Sequence, residues 1–527
     1  MLPRHLFYVF AITSVLLTFL ASSVWSGALY FLWLFLPVIG LGLYDVIQKT
    51  HTVLRLYPVI GHLRYLFESF RPEIQQYFVE SDINGTPISR EFRSLVYQRA
   101  KGVRDTRPFG TIFDVYRDGY EWVNHSLAPM NVHDVDSRVV FGGDNCDKPY
   151  TASALNISAM SYGALSKTAI EALNLGAKSG GFAHNTGEGG LSPYHLKPGG
   201  DIVWQIGTGY FGCRDKNGDF NELLFTEKAS LDVVKMIEIK LSQGAKPGHG
   251  GILPAVKLTE EIAEIRHVPM GQDVISPAAH TAFSSPKELL AFIVKLRDLS
   301  GGKPVGFKLC IGNQSEFFAI CKAMVKTGIS PDFITVDGGE GGTGAAPVEL
   351  TNSVGMPLKD ALMLVNNSLI GIGLRDKIRI IASGKSLSSF HLLRLLALGA
   401  DTVNSARAMM FALGCIQSRH CNSDKCPTGI ATQDPARFKA LDVDHKAKRV
   451  ARYHGSIIEN LHELIAAIGL RKTSELQPEH INRRVNGSNI KNYAQLYPLM
   501  QTGDLLDANT IPQEYNQAWS DANIDQW

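Results

Sequence analysis

A chain of 527 residues with a net charge of +2 and no acidic or basic tail has the length for one large α/β barrel plus smaller additions. It lacks the electrostatic footprint of a nucleic-acid-binding protein, so no nucleic-acid partner is expected. Seven cysteines, of which Cys415, Cys421 and Cys426 form a tight trio and the rest lie scattered, exclude a disulfide framework. The 49 glycines cluster in short loops directly after apolar segments, as βα loops that bind phosphate do.

From Leu6 to Tyr44 there is no Asp, Glu, Lys, Arg or His. The run is roughly twice the ~20 residues that one membrane span needs, and Ser22, Ser23, Ser26 and Gly27 interrupt it midway. Residues 1–48 are therefore predicted to form a transmembrane hairpin, with spans at about 6–24 and 27–44. Arg4 precedes the first span and Lys49, Arg55 and Arg64 follow the second, which places both ends, and the catalytic domain, on the cytoplasmic side of the inner membrane, with lipid as a partner. A cleaved signal peptide is the alternative, but a second apolar run follows any cleavage site. Residues 49–150 read as an amino-terminal extension or linker, in which SREFRSLVYQRAKG (89–102) is helical and VRDTRPFGT (103–111) irregular. It carries no visible chemistry, and serves either to pack on the barrel mouth or as a linker and dimer contact.

After Tyr150, short β-branched or apolar runs alternate with helical patterns, which argues for parallel strands joined by crossover helices. Eight strands are predicted: 154–160, 180–187, 234–242, 272–277, 304–312, 332–339, 378–384 and 400–406. Eight close a (β/α)8 TIM barrel, expected over residues 151–433, with a helical extension over 434–527 that includes a helix near 449–476. In such barrels phosphate commonly binds after strands seven and eight. The loops ASGKS, with Ser383, Gly384 and Lys385, and NSAR, with Ser405, Ala406 and Arg407, suit one phosphate. GGEGGTG satisfies G-x-G-x-x-G, but Ala345, Ala346 and Pro347 follow it, so a dinucleotide fold is not expected. One phosphate cradle on a barrel fits a mononucleotide, and the redox mononucleotide is a flavin.

In GCIQSRHCNSDKCPTG (414–429) three thiols stand at Cys-x5-Cys-x4-Cys. Three thiolates are one short of the four that two- and four-iron clusters take, which makes a three-iron cluster the candidate. Zinc is the alternative, but His420 adjoins Cys421, and neighbouring residues chelate one tetrahedral ion poorly.

These motifs resemble the FMN-binding synthase domain of glutamate synthase. ISAMSYGALS (157–166), NTGEGG (185–190), QGAKPGHGG (243–251), EGGTGAAP (340–347) and the cysteine loop lie in that family's order, and YEWVNHSLAP (120–129) with the apolar amino end looks like a stand-alone, membrane-attached branch. The resemblance implies FMN and a 3Fe-4S cluster on the three cysteines. It implies that Ala159, Met160 and Ser161 lie against the flavin ring, that Asn185, Gly338, Gly341 and Gly342 belong to the same site, and that Lys308 stands near the ring's pyrimidine end. It further implies that Glu188, Lys246 and Arg266 serve the oxo acid. Arg266 would bind one carboxylate of 2-oxoglutarate, Lys246 would neutralise the other and polarise C2, and Glu188 would handle protons. Each has a plainer reading, in which Glu188 pairs with Lys246 across loops and Arg266 is a solvated surface residue, whereas a buried Lys308 calls for an anionic partner. Where family members often carry glutamine six residues after the QGAKPG lysine, this chain has Ile252.

The expected reaction is reductive amination of 2-oxoglutarate to L-glutamate with ammonia or another amine. Electrons would come from a partner, a ferredoxin or an NAD(P)H-oxidising subunit. No amidotransferase domain is expected. The rivals are an FMN barrel oxidoreductase acting on another oxo or hydroxy acid, or on an amine to give an N-substituted glutamate, and a membrane electron-transfer subunit without catalysis. Association into a homo-oligomer is expected of such barrels.

Overall fold

The structure, a computed structural model, describes residues 3–103 and 106–527; Arg104 and Asp105 of the predicted irregular stretch lie outside the described residues. The chain divides into two units, one ending at Glu91 and one beginning at Phe92.

In the first unit, two helices are long and apolar enough to cross a membrane, Pro3–Ser22 and Ser26–Ile47. The serine and threonine hydroxyls of the first are satisfied within the helix, as where Thr18 Oγ1 donates to the Ser14 carbonyl at 2.7 Å, which apolar surroundings require. The two helices meet where Phe10 stands edge-on to Phe35 and where the Phe7 ring fills the space above Gly42. Helices Thr52–Leu56 and Gly61–Ile74 follow, and one turn of π-helix, Gln75–Val79, extends the second. Asp45, buried near the end of the second apolar helix, ties this region together: it accepts from the Val59 amide at 2.9 Å, and its Oδ1 lies 2.8 Å from His62 Nε2.

The second unit contains a closed barrel of eight strands, all parallel. They are β1 Leu155–Ile157, β2 His184–Asn185, β3 Ile202–Ile206, β4 Val234–Lys240, β5 Val305–Leu309, β6 Phe333–Asp337, β7 Arg379–Ser383 and β8 Thr402–Ser405. Seven correspond to predicted segments and one does not. The predicted strand at 272–277 is not a barrel strand; only Val274–Ile275 is extended, and it pairs antiparallel with Ile252–Leu253 in an excursion after β4. The barrel takes Ile202–Ile206 instead. This run is wholly buried, but the connection before it holds a single helical turn, Pro193–Leu196, in place of a full crossover helix. The helical period that marks off the other strands is missing there.

The crossover helices are defined by local signals. Lys167–Gly180 starts at Ser166, whose hydroxyl accepts from the Ala169 amide, and stops at Gly181 with φ of 66°, a conformation natural to glycine. The long helix Val443–Ile468 packs on it where Gly176 leaves room for Val450. The end of the chain is not simply helical: Ile481–Asn486 and Asn489–Asn492 form a hairpin whose first strand pairs with Glu121–Val123.

Inside the barrel, chemistry changes along the strands. Val203, Met236, Phe333 and Ile381 make an apolar floor, closed from below by Phe141 and Tyr150 of the hairpin Val139–Phe141 and Tyr150–Ala152. Further up, Glu238 accepts from Asn185, Gln205 and Thr335. At the carboxyl ends stand Lys240, Lys308 and Asp337, so charge concentrates at the mouth where such barrels do chemistry.

Candidate active site at the barrel mouth

Seen from β6 to β8, the mouth is lined by short loops that brace one another. The Gly338 amide donates to the Ser383 carbonyl at 3.1 Å and the Gly341 amide to the Gly338 carbonyl at 2.8 Å. The Ser158 and Ser383 hydroxyls lie 3.3 Å apart, and Ser405 donates to the Ser386 carbonyl. Arg407, at the start of a short helix after β8, donates to the Glu340 carbonyl, and its guanidinium lies against Gly342, where an added Cβ would stand 3.2 Å from it. Lys385 and Arg407 are two cations near each other after β7 and β8. Burial first, and then Arg407, pushes the Lys385 ammonium below its ordinary range. An anion between them would offset both the burial and the mutual repulsion, and a phosphate is the anion such loops take.

Next to them Lys308 points into the barrel, 3.3 Å from Asp337. Burial alone would depress this ammonium, but Asp337 and then Glu238 outweigh it and hold the group above its ordinary range. The expected anionic partner thus exists within the protein. Asp337 also accepts from the Gly244 amide at 2.8 Å, which joins β6 to the start of the excursion.

On the other side, the loops after β1 and β2 touch through their backbones. The Met160 amide donates to the Asn185 carbonyl at 3.4 Å. Gly187, at φ of 66°, leaves only 2.9 Å between an added Cβ and the Ser161 amide, so any side chain there would displace the Ala159–Ser161 segment. Asn185 is held by Glu238 on one side and accepts from the Gly187 amide on the other.

Glu188 leaves β2 toward a small cavity lined by Thr208, Lys240, Ser242, His249 and Gly251. Its Oε1 is 3.0 Å from Lys240 Nζ, so its ion-pair partner is Lys240 and not Lys246. Burial would raise this carboxyl, but Lys240, followed by Arg266 and Lys246, holds it below the ordinary carboxylate range. Lys246 and Arg266 ride on the excursion, residues 241–285. Lys246 is buried, donates to the Ala345 carbonyl at 2.9 Å, and burial pushes it down to about 8 despite the pull of Glu188. Arg266 ends helix Glu260–Arg266 and is buried, not solvated. It donates to the Tyr162 carbonyl and lies over the Phe211 ring, and among the described residues its Nε has no hydrogen-bond partner. Ile252 stands one residue beyond the cavity lining, on the strand paired with Ile275.

Cys415, Cys421 and Cys426 follow the short helix after β8. Among the described residues no three His, Cys, Asp or Glu side chains stand at metal-ligating geometry, and the three thiols are free. They are close enough to feel one another: burial first, then Cys421 and Cys426, pushes Cys415 up to about 12. For Cys426 burial is outweighed by hydrogen bonds from Thr428, Ala431 and Ile430, which lower it and so favour its thiolate. Lys257, buried on the excursion, donates to the carbonyls of Ala164, Cys421 and Ala431.

The profile of the family described as a conserved region in glutamate synthase matches residues 124–471. The chain belongs to the glutamate synthase family. It is accordingly an enzyme. Over 522 residues the chain is 39% identical to the glutamate synthase large subunit-like protein YerD of Bacillus subtilis, covering 91% of this chain and 98% of that one. It is 37% identical to the archaeal glutamate synthase (NADPH) of Methanocaldococcus jannaschii over 64% of this chain and 62% of that one, so it spans about three-fifths of the archaeal relative. A solved flavocytochrome b2 with pyruvate bound shares 12% identity at a TM-score of 0.41, covering 79% of this chain and 85% of that one, a likeness too remote to carry an argument.

Sequence reasoning missed Lys240, Glu238 and Asp337. The signal was present in VKMIEIKLS: Met236, Glu238 and Lys240 alternate with Ile237 and Ile239, which aims two charges at the barrel interior. Lys257 carried no such signal.

Proposed function

We propose that this glutamate synthase-type oxidoreductase reduces an imine of 2-oxoglutarate to L-glutamate, with FMN in the barrel mouth and ammonia or another amine as the nitrogen source. Its electron donor is a partner protein, a ferredoxin or an NAD(P)H-oxidising subunit. One observation carries this reading: three cations, Lys240, Lys246 and Arg266, act on the single carboxylate of Glu188. The surplus of two positive charges matches the two carboxylates of 2-oxoglutarate.

Arg266 is suited to one carboxylate and Lys240 to the other. Glu188 is held as a carboxylate, which suits it to take the proton released by the attacking nitrogen. Lys246, down at about 8, is the better donor, placed to protonate the C2 oxygen as water leaves. FMN, when bound, supplies a hydride to C2 of the imine. The fit is supported by the neighbouring cations Lys385 and Arg407 beside Ser383, Gly384, Ser405 and Ala406, which would hold its phosphate. Ala159, Met160, Ser161, Asn185, Lys308, Gly338, Gly341 and Gly342 would surround the rest.

Cys415, Cys421 and Cys426 would hold a 3Fe-4S cluster that passes electrons singly. The hydrogen bonds that stabilise the Cys426 thiolate support this reading. The two apolar helices would span the cytoplasmic membrane with the barrel on the cytoplasmic side, a reading supported by their length and basic flanks.

The test is anaerobic. Protein with chemically reduced flavin should be reoxidised by 2-oxoglutarate with ammonia, or with methylamine if the product is N-substituted. Lys246→Ala should retain the flavin spectrum and lose this reoxidation. Wild-type protein whose flavin stays reduced with both amines would end the proposal.

A further inference from the structure

Helix Gly61–Ile74 and the π-helical turn after it present an apolar face to the outside. Leu63, Leu66, Phe67, Phe70 and Ile74 are all exposed, Phe67 at 63% and Phe70 at 52%, and Phe78 in the following turn reaches 84%. Their spacing of three and four residues puts them on one side of the helix. The opposite side carries Tyr65, Ser69 and Gln76. Only Gly61 of the helix is buried, so this face is not the inner side of a packed bundle. Six large apolar side chains left in water over five turns is more than scattered surface exposure amounts to.

The position of the helix says what covers this face. Thirteen residues separate it from the end of the second apolar helix at Ile47, and its first turn is fastened to that end. The buried Asp45 takes His62 and the Val59 amide, Arg55 Nε donates to the Val46 carbonyl, and the rings of His51 and Tyr65 stand 5.6 Å apart. The place where the chain leaves the apolar hairpin is therefore the place where the amphipathic helix starts. Within Gly61–Ile74 the charges Arg64 and Arg71 are matched by Glu68 and Glu73, and Arg64 pairs with Glu68 at 3.1 Å. Attraction to a surface thus comes from apolar area and not from charge.

We propose that the segment Gly61–Val79 is an interfacial helix that lies in the headgroup region of the bilayer, with Phe67, Phe70 and Ile74 facing the acyl chains. This inference rests on the reading of the hairpin as membrane-spanning. It gives the enzyme a third contact with lipid, one that is parallel to the surface and indifferent to lipid charge.

The full-length protein is reconstituted in vesicles of phosphatidylcholine, with or without phosphatidylglycerol, and in the same vesicles made with brominated acyl chains. Phe67→Trp places a reporter on the apolar face and Ser69→Trp one on the polar face; wild type gives the background of native tryptophans. The added Phe67→Trp emission should shift to the blue and lose roughly half its intensity to the brominated chains, equally in both lipid mixtures, while the added Ser69→Trp emission stays unquenched. Equal quenching of the two, or a blue shift at Phe67→Trp without quenching, as when a second copy or another protein covers the face, overturns the proposal. Carbonate washing of the membranes separates the two readings. Protein that resists washing but shows no selective quenching loses only the interfacial helix, whereas protein that washes off loses both.

Discussion

Around β6, β7 and β8 the groups that line the mouth come from strand ends and loops of a few residues, each pinned to a neighbouring strand end or loop: Gly338 to Ser383, Ser405 to Ser386, Arg407 to Glu340. Across the mouth, Lys246 and Arg266 come from the excursion between β4 and the helix Pro286–Leu299, which carries its own two-stranded sheet and its own helix. The first region takes its geometry from the barrel itself, and the second reaches over the barrel from outside. On the proposed reading the first region seats the cofactor and is as rigid as the sheet. The second would seat the substrate and could change its selectivity without disturbing the sheet.

If the two regions are separable, damage to one should leave the other intact. The largest effect is expected for Glu188→Gln, which removes the proposed proton acceptor: kcat for amination should fall about a thousandfold, or about 4 kcal/mol, with flavin content and spectrum as in wild type. Loss of flavin along with activity would break the distinction. Lys385→Ala should act in the opposite sense, weakening FMN about thirtyfold in equilibrium titration, about 2 kcal/mol, while KM for 2-oxoglutarate in FMN-saturated enzyme stays unchanged.

The pH profile sharpens the contrast. In the proposed mechanism Lys246 acts as its cation, and burial has brought it down to about 8, so the active form should be complete below that value and lost above it. kcat/KM for 2-oxoglutarate should fall on the alkaline side of pH about 8, approaching tenfold per pH unit. FMN affinity should show no such limb there, and Lys246→Arg should move the limb of kcat/KM to higher pH. The smallest effect belongs to Ile252→Gln. Because Ile252 is one residue outside the cavity lining, the change should alter KM by about two- to threefold at most, measured with 2-oxoglutarate at saturating amine.

The barrel was legible because seven of its strands combine an apolar run with a glycine or serine turn and a crossover helix. β3 was not, since one helical turn at Pro193–Leu196 separates it from β2, and QDVISP supplied a better-looking substitute. Glu188, Lys246 and Arg266 were legible through a family likeness, but their partners were not. The motif order placed Glu188 and Lys246 in facing loops and could not say that Lys240, on a strand, would take the carboxylate. The sheet that joins Glu121–Val123 to Ile481–Asn486 could not be read at all: its strands lie more than three hundred residues apart, and neither has a pattern that names the other.

Lys257 sets a mechanical limit on the excursion. Its ammonium is buried and donates to three carbonyls, from Ala164 after β1 and from Cys421 and Ala431 in the cysteine loop. Swinging the whole excursion outward would strip that cation of every acceptor while it was still surrounded by protein. The excursion is thus riveted near its middle, and any movement of it at the barrel mouth has to hinge about Lys257.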